Sequence, residues 1–122
     1  MADYPSNLRY SVEHEWIDDG TPATVGVTSY AVEALGDVVY LELPEVGAEI
    51  EAGSVVGEIE STKSVSELYT PVSGKVVEVN ETAVDDPALV NTEPFGAGWL
   101  FKIEVSGEGQ LLSAEEYAQH AG

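Results

Sequence analysis

Glu60, Ser61, Thr62, Lys63 and Ser64 lie between two alternating runs of residues. Before them, Val55, Gly57 and Ile59 alternate with Val56, Glu58 and Glu60; after them, Val65, Glu67 and Tyr69 alternate with Ser66 and Leu68. A period of two over this length is the signature of strands, so the stretch is predicted to be the tip of a β-hairpin. Thr62 and Lys63 are unsuited to the positive φ of a two-residue primed turn, which points to a slightly longer connection around a type I turn over 61–64. Strands pairing symmetrically about that tip place Glu58, Glu60 and Glu67 on one face and Val55, Gly57, Ile59 and Leu68 on the other. A lone amine, Lys63, then stands above an acidic collar. The bland alternative is a solvated lysine that blunts a sheet, but the chain has only four cations, Arg9, Lys63, Lys75 and Lys102. Cations are not its surface filler.

Working outward, Pro71, Val72, Ser73 and Gly74 read as a strand stop and turn before a further strand over 76–79. Toward the amino terminus, short strands are expected over 9–11 and 15–18, joined through the turn residues of 18–22 to a returning strand over 23–27. Thr28 or Ser29 caps a short helix through Tyr30, Val32, Glu33 and Leu35, which Gly36 ends. A strand over 37–43 follows, then turns at 44–47 and 52–53 around 49–51. The string Gly-x-Val-Val opens at Gly36, Gly53 and Gly74, each time at a predicted strand. Asn80-Glu81-Thr82 matches a glycosylation acceptor as a pattern alone. Asp86 and Pro87 start a single helical turn reaching Leu89 and Val90, 91–98 is loop, and 99–105 is strand. A helix over about 113–119 closes the chain, opened by a Ser113/Glu116 capping box with Leu112 and Tyr117 as a staple. Short, regularly spaced strands with small edge helices give a mainly β fold, a flattened barrel or sandwich, in a single domain over 1–122.

Composition narrows the function. Four basic against 23 acidic residues give a formal charge of −19, which argues against nucleic acid and anionic membrane as partners. A disordered acidic tail is excluded by the 43% hydrophobic content. So large a charge repels itself in dilute buffer and is tolerated where salt shortens the Debye length to about 3 Å near 1 M. A salt-loving source is therefore expected, and melting should occur at higher temperature in molar than in dilute salt; equal midpoints would refute this. With no cysteine, neither a disulfide nor a thiolate nucleophile is available. The stretch 1–7 has neither the basic start nor the apolar centre of a leader, and a cytoplasmic protein is expected. Glu13, His14 and Glu15 in succession invite a metal site, yet strand alternation sets His14 on the face opposite the two acids, and His120, the second histidine, lies near the chain end.

A lysine at a hairpin tip followed by Pro-Val-Ser-Gly and another strand resembles the swinging-arm domains that carry lipoate or biotin. The resemblance covers essentially the whole chain and is to the H protein of the glycine cleavage system. It is carried by 13–16, by Gly26 and Val27 leading to 34–39, and by 43–47, 60–63, 66–69, 71–74 and 89–91. Gly98, Trp99, Lys102 and Ile103 complete it. Biotin carriers share the tip but typically flank their lysine with methionine, whereas the flanks here are Thr62 and Ser64 and the one methionine is Met1.

The resemblance implies a hammerhead carrier fold and a carrier with no catalysis of its own. Lipoate is implied in amide linkage to Lys63, attached by a lipoate-attaching enzyme. The implied partners are a pyridoxal-phosphate glycine decarboxylase (the P component) that loads an aminomethyl group, an aminomethyltransferase (the T component) that passes it to tetrahydrofolate, and a dihydrolipoyl dehydrogenase (the L component). A monomer is implied. Glu67, Glu15 and Glu13 match positions resembling the acidic lining of the groove that shelters the loaded arm, whereas Tyr30 stands where many relatives have histidine. Other readings are a lipoyl relay that donates lipoate to other enzymes, remotely a biotinyl carrier, and a hydrolase built on paired carboxylates.

Overall fold

A computed structural model describes residues 4–121; Met1–Asp3, which open the stretch read above as no leader, and Gly122 lie outside the described residues. In chain order the elements are β1 (Arg9–Tyr10), β2 (Glu15–Ile17), β3 (Ala23–Val27), α1 (Ser29–Leu35), β4 (Val38–Glu42), β5 (Glu49–Ile50) and β6 (Val55–Ser61). Then come β7 (Val65–Tyr69), β8 (Val72–Val79), α2 (Glu81–Asp85), α3 (Ala88–Thr92), β9 (Phe101–Glu108) and α4 (Ala114–Ala121). They form a six-stranded antiparallel sheet in the order β1-β2-β3-β9-β8-β5 and a three-stranded one in the order β4-β6-β7. The fold is mainly β, as expected. Val25, Val72, Val76, Phe101 and Ile103 from the large sheet form one buried cluster with Leu41, Ile59 and Leu68 from the small one. A second cluster, Leu8, Tyr10, Trp16 and Tyr117, lies beneath α4.

Local chemistry explains most boundaries. Thr28 caps α1 by accepting from the Ala31 N–H, and Gly36 ends it. At α4 the reciprocal box forms: the Ser113 N–H donates to Glu116 Oε1 (2.9 Å) and the Glu116 N–H to Ser113 Oγ (3.2 Å). The helix runs past the expected 119 to Ala121.

Four expectations are corrected. Residues 72–74 are strand, so only the stretch around Pro71 breaks the chain. Gly74 sits where β8 shifts register against β9, and a Cβ there would run into the Glu104 carbonyl; its small size serves close backbone approach, not a turn. Val55 is exposed, because an irregularity between Val55 and Gly57 slips it out of alternation with buried Ile59. The last strand starts at Phe101 rather than Trp99 and extends to Glu108. Asn80 opens α2, a helix the sequence reading missed: its Nδ2 donates to the carbonyls of Ala97 (2.8 Å) and Trp99 (2.7 Å) while its Oδ1 accepts from Ala83 N–H. Those bonds tie off the 97–99 backbone before the strand begins. Only 5% exposed, the Asn80 amide is not available to a glycan.

Candidate functional site

The hairpin tip is closed by a serine. The Ser61 N–H donates to the Ser64 carbonyl (2.8 Å), and Ser61 Oγ accepts from the backbone N–H groups of Lys63 (3.2 Å) and Ser64 (3.1 Å). Neither Thr62 nor Lys63 adopts positive φ, in line with the expected turn. The Thr62 N–H donates to the Asp37 carbonyl (3.0 Å), tying the tip to the corner between α1 and β4. That corner is held by Asn91, whose Nδ2 donates to the Gly36 carbonyl (2.8 Å) and whose Oδ1 accepts from the Val38 N–H (2.8 Å). Lys63 is exposed and, among the described residues, has no carboxylate within 4.0 Å.

The Lys63 stem lies over Gly36, where an added Cβ would come within 2.8 Å of Lys63 Cε. Gly36 has φ 83° and ψ −157°, a region essentially reserved for glycine and costing other residues on the order of 1–3 kcal/mol. Gly36→Ala is therefore expected to lower the melting temperature by several degrees and to push the lysine stem off its support. Thermal melts paired with the rate at which Lys63 takes up an acylating reagent check this; an unchanged melt would show that alanine is accommodated.

A groove of about 460 Å³ opens beside the tip at Ser64. Its walls are α1, from Leu35 back to Tyr30, and β7, through Ser66, Glu67 and Tyr69. His14, its ring centroid 4.7 Å from that of Tyr30 at the amino end of α1, lines the groove with its neighbours Glu13 and Glu15. The structure thus brings together all three acids singled out from the sequence. The collar divides: Glu58 lies across from Glu67, and Glu42 across from Glu58, so these carboxylates line up on the outer face of the small sheet, and of the row only Glu67 also borders the groove. A larger open depression of about 1180 Å³ lies between 44–56 and the β8–β9 pair. No residue of the tip or of this groove lines it, so its size does not make it the site.

The three acids differ chemically. Glu67 is exposed and accepts from the Tyr69 hydroxyl (3.1 Å), a bond that raises the tyrosine above its ordinary pKa. Glu13 is exposed. Glu15 is 2% exposed, and burial pushes its pKa up to about 8. Hydrogen bonds from Ser11 Oγ (2.6 Å) and the Tyr69 backbone N–H pull the other way and are outweighed, with Glu13 adding a smaller upward push.

Alternation over 13–15 does not hold. The His14 N–H donates to the Ser11 carbonyl (3.2 Å), and His14 has φ 72°, so this is a turn and β2 begins only at Glu15. All three residues border the groove as a result. Nor is His14 remote from His120: α4 brings the two rings to 5.7 Å between centroids, although among the described residues no group of three His, Asp or Glu is arranged to hold a metal. The sequence reading missed Gly36 and Asn91 as supports of the tip and His14 as a groove residue, and it withheld a groove role from Tyr30, which does line the groove. Gly36 carried a signal, being a helix stop with a valine strand directly behind it.

Comparison with known proteins agrees with this geometry. The glycine cleavage H-protein family model matches residues 8–121. A glycine cleavage system H protein of Streptomyces avermitilis is 58% identical, covering 97% of each chain, and one of Thermobifida fusca is 58% identical over 94% of this chain and 93% of its own. The crystal structure of a glycine cleavage system H protein from Mycobacterium marinum superposes with a TM-score of 0.92 at 52% identity, covering 95% of this chain and 97% of that one.

Proposed function

The chain belongs to the glycine cleavage H-protein family, and from that premise we propose that it is the lipoyl carrier of the glycine cleavage system, with lipoate joined to the ε-amine of Lys63. The observation that carries the assignment is the placement of Lys63: an exposed amine without an ion pair among the described residues, on a serine-closed tip braced by Gly36 and Asn91, beside an acid-lined groove. The residues fit such a group. Gly36 leaves room for the lysine stem, and the groove starts at the neighbouring residue, Ser64.

Lipoate supplies a disulfide ring that accepts an aminomethyl group on opening and returns to the oxidised state through a dithiol. The chain's own residues hold and shelter. Glu67 and Glu13 offer carboxylates to an ammonium, each such pair worth about 1 kcal/mol in water and about 4 near a protein surface at 4 Å. That is enough to park an arm and still release it. Glu15, whose pKa burial raises to about 8, forms a largely neutral wall at neutral pH that a cation beside it would help to ionise. The partners are the glycine decarboxylase, the aminomethyltransferase, the dihydrolipoyl dehydrogenase and the enzyme that attaches lipoate, and every catalytic group of the cycle is theirs. A monomer acting in the cytoplasm suits a cysteine-free chain whose arm cycles through a dithiol.

Intact mass of the protein from lipoate-making cells, with peptide mapping, tests the assignment. A lipoyl increment on Lys63 alone is expected. A biotinyl increment, or an unmodified lysine in such cells, would overturn it.

A further inference from the structure

One residue lining the groove has an unusual backbone. Among the described residues His14 is the only non-glycine with positive φ, and such outliers persist only where their surroundings hold them. Here the Thr28 N–H donates to the His14 carbonyl (3.0 Å), and the ring packs with centroids 4.7 Å from Tyr30 and 5.7 Å from His120. Nδ1 lies 2.7 Å from the Tyr117 hydroxyl, which lies 2.7 Å from Thr28 Oγ1. The Thr28 oxygen also accepts from the Ala31 N–H at the start of α1 (3.2 Å), and a chain of donors running from Thr28 to Tyr117 to Nδ1 satisfies all three groups. In that arrangement the ring proton sits on Nε2. Burial first, and His120 second, hold the imidazole neutral by lowering its pKa, against an upward pull from Glu13. Among the described residues Nε2 makes no hydrogen bond.

Position gives that free donor a use. Lys63 rests on Gly36 at the carboxyl end of α1, and His14 packs on Tyr30 near its amino end. The seven residues of α1 separate them by about 10 Å at 1.5 Å per residue. A lipoyl arm that left Lys63 along this groove would carry its sulfur end toward His14. Glu13 and Glu67 suit the ammonium of a loaded arm, whereas sulfur is an acceptor and calls for a donor.

We propose that His14 receives the sulfur end of the loaded lipoyl arm, presenting its Nε2–H to a sulfur while Tyr117 of α4 holds Nδ1. This rests on the carrier reading above, and it makes the last helix part of the docking site. In the lipoylated protein loaded from glycine, the lifetime of the load is measured by release of formaldehyde and ammonia, alongside the His14 ring ¹⁵N resonances. Unmodified protein should show an Nε2–H tautomer, and loading should move Nε2 more than Nδ1. His14→Asn keeps a residue that tolerates positive φ, and Tyr117→Phe keeps the ring of α4. Each should shorten the lifetime roughly three- to tenfold, the worth of one hydrogen bond, while the chain stays folded. If His14→Asn does not fold, Tyr117→Phe and the ring resonances decide. Lifetimes matching the parent protein, with Nε2 unmoved by loading, would overturn this inference alone, provided Glu67→Gln still shortens the lifetime. A parent load no longer-lived than in the guanidinium-unfolded chain would overturn groove docking itself and this inference with it.

Discussion

Replacing Lys63 with arginine is expected to abolish lipoylation and, in a reconstituted glycine cleavage reaction, to reduce turnover to the level without carrier. Arginine keeps the charge and the long stem, but its guanidinium is not the amine that forms the amide. The fold should not notice: the side chain is exposed and, among the described residues, pairs with no acid within 4.0 Å, so the stability change should stay within about 0.5 kcal/mol. Mass spectrometry, glycine turnover and a thermal melt on one preparation check all three. The other lysines are not expected to substitute. Lys75 lies within β8 opposite Glu49, and Lys102 lies within β9, 5.1 Å over Trp99 and 3.9 Å from Glu78. Neither stands on a turn where the backbone can enter an enzyme's active site. Lipoate on either of them in Lys63→Arg would refute the idea that the tip selects the lysine.

Glu15→Gln should show the largest effect on stability, a gain whose size depends on pH. In the unfolded chain this carboxyl titrates near its ordinary value of 4.5; in the folded protein burial moves it to about 8. The folded state therefore binds the proton more tightly. Its contribution is fully present below about pH 4.5 and is lost as pH rises through 8, above which the loss is complete. Glutamine never ionises, so the variant should gain on the parent across that window, by on the order of 5 kcal/mol above pH 8, a shift on the order of 15–20 °C in melting temperature. Near pH 4 the two should melt alike. Paired melts from pH 4 to 9 measure the difference directly and cancel the general effect of the other acids. A gap constant with pH would show that Glu15 is ionised when folded. The same variant should hold a loaded arm less well, because a neutral amide cannot ionise to meet an ammonium.

Much of the site was legible in local chemistry. The alternating runs on either side of Lys63, the unsuitability of Thr62 and Lys63 for a primed turn, the Thr28 cap with Gly36 as stop, and the Ser113/Glu116 box each concern residues a few positions apart. Misreadings came where a partner far along the chain decided the outcome. Gly74 looked like a turn residue until the Glu104 carbonyl of β9 closed on it. Asn80 looked like an acceptor pattern, and its amide proved to be spent on Ala97 and Trp99.

The sequence by itself determined which amine is presented and on what element, because strand period, turn preference and capping are short-range properties of the backbone and its nearest side chains. It also determined that the surface is acidic and that thiol chemistry must come from a bound group. Only the tertiary structure decided what the amine faces. His14 at positive φ turns Glu13, His14 and Glu15 toward one groove, α4 carries Tyr117 and His120 onto that histidine, and Asn91 locks the corner under the lysine. These contacts join residues 53 to 106 positions apart. Their geometry follows from the packing of two sheets and a closing helix, which no local pattern encodes.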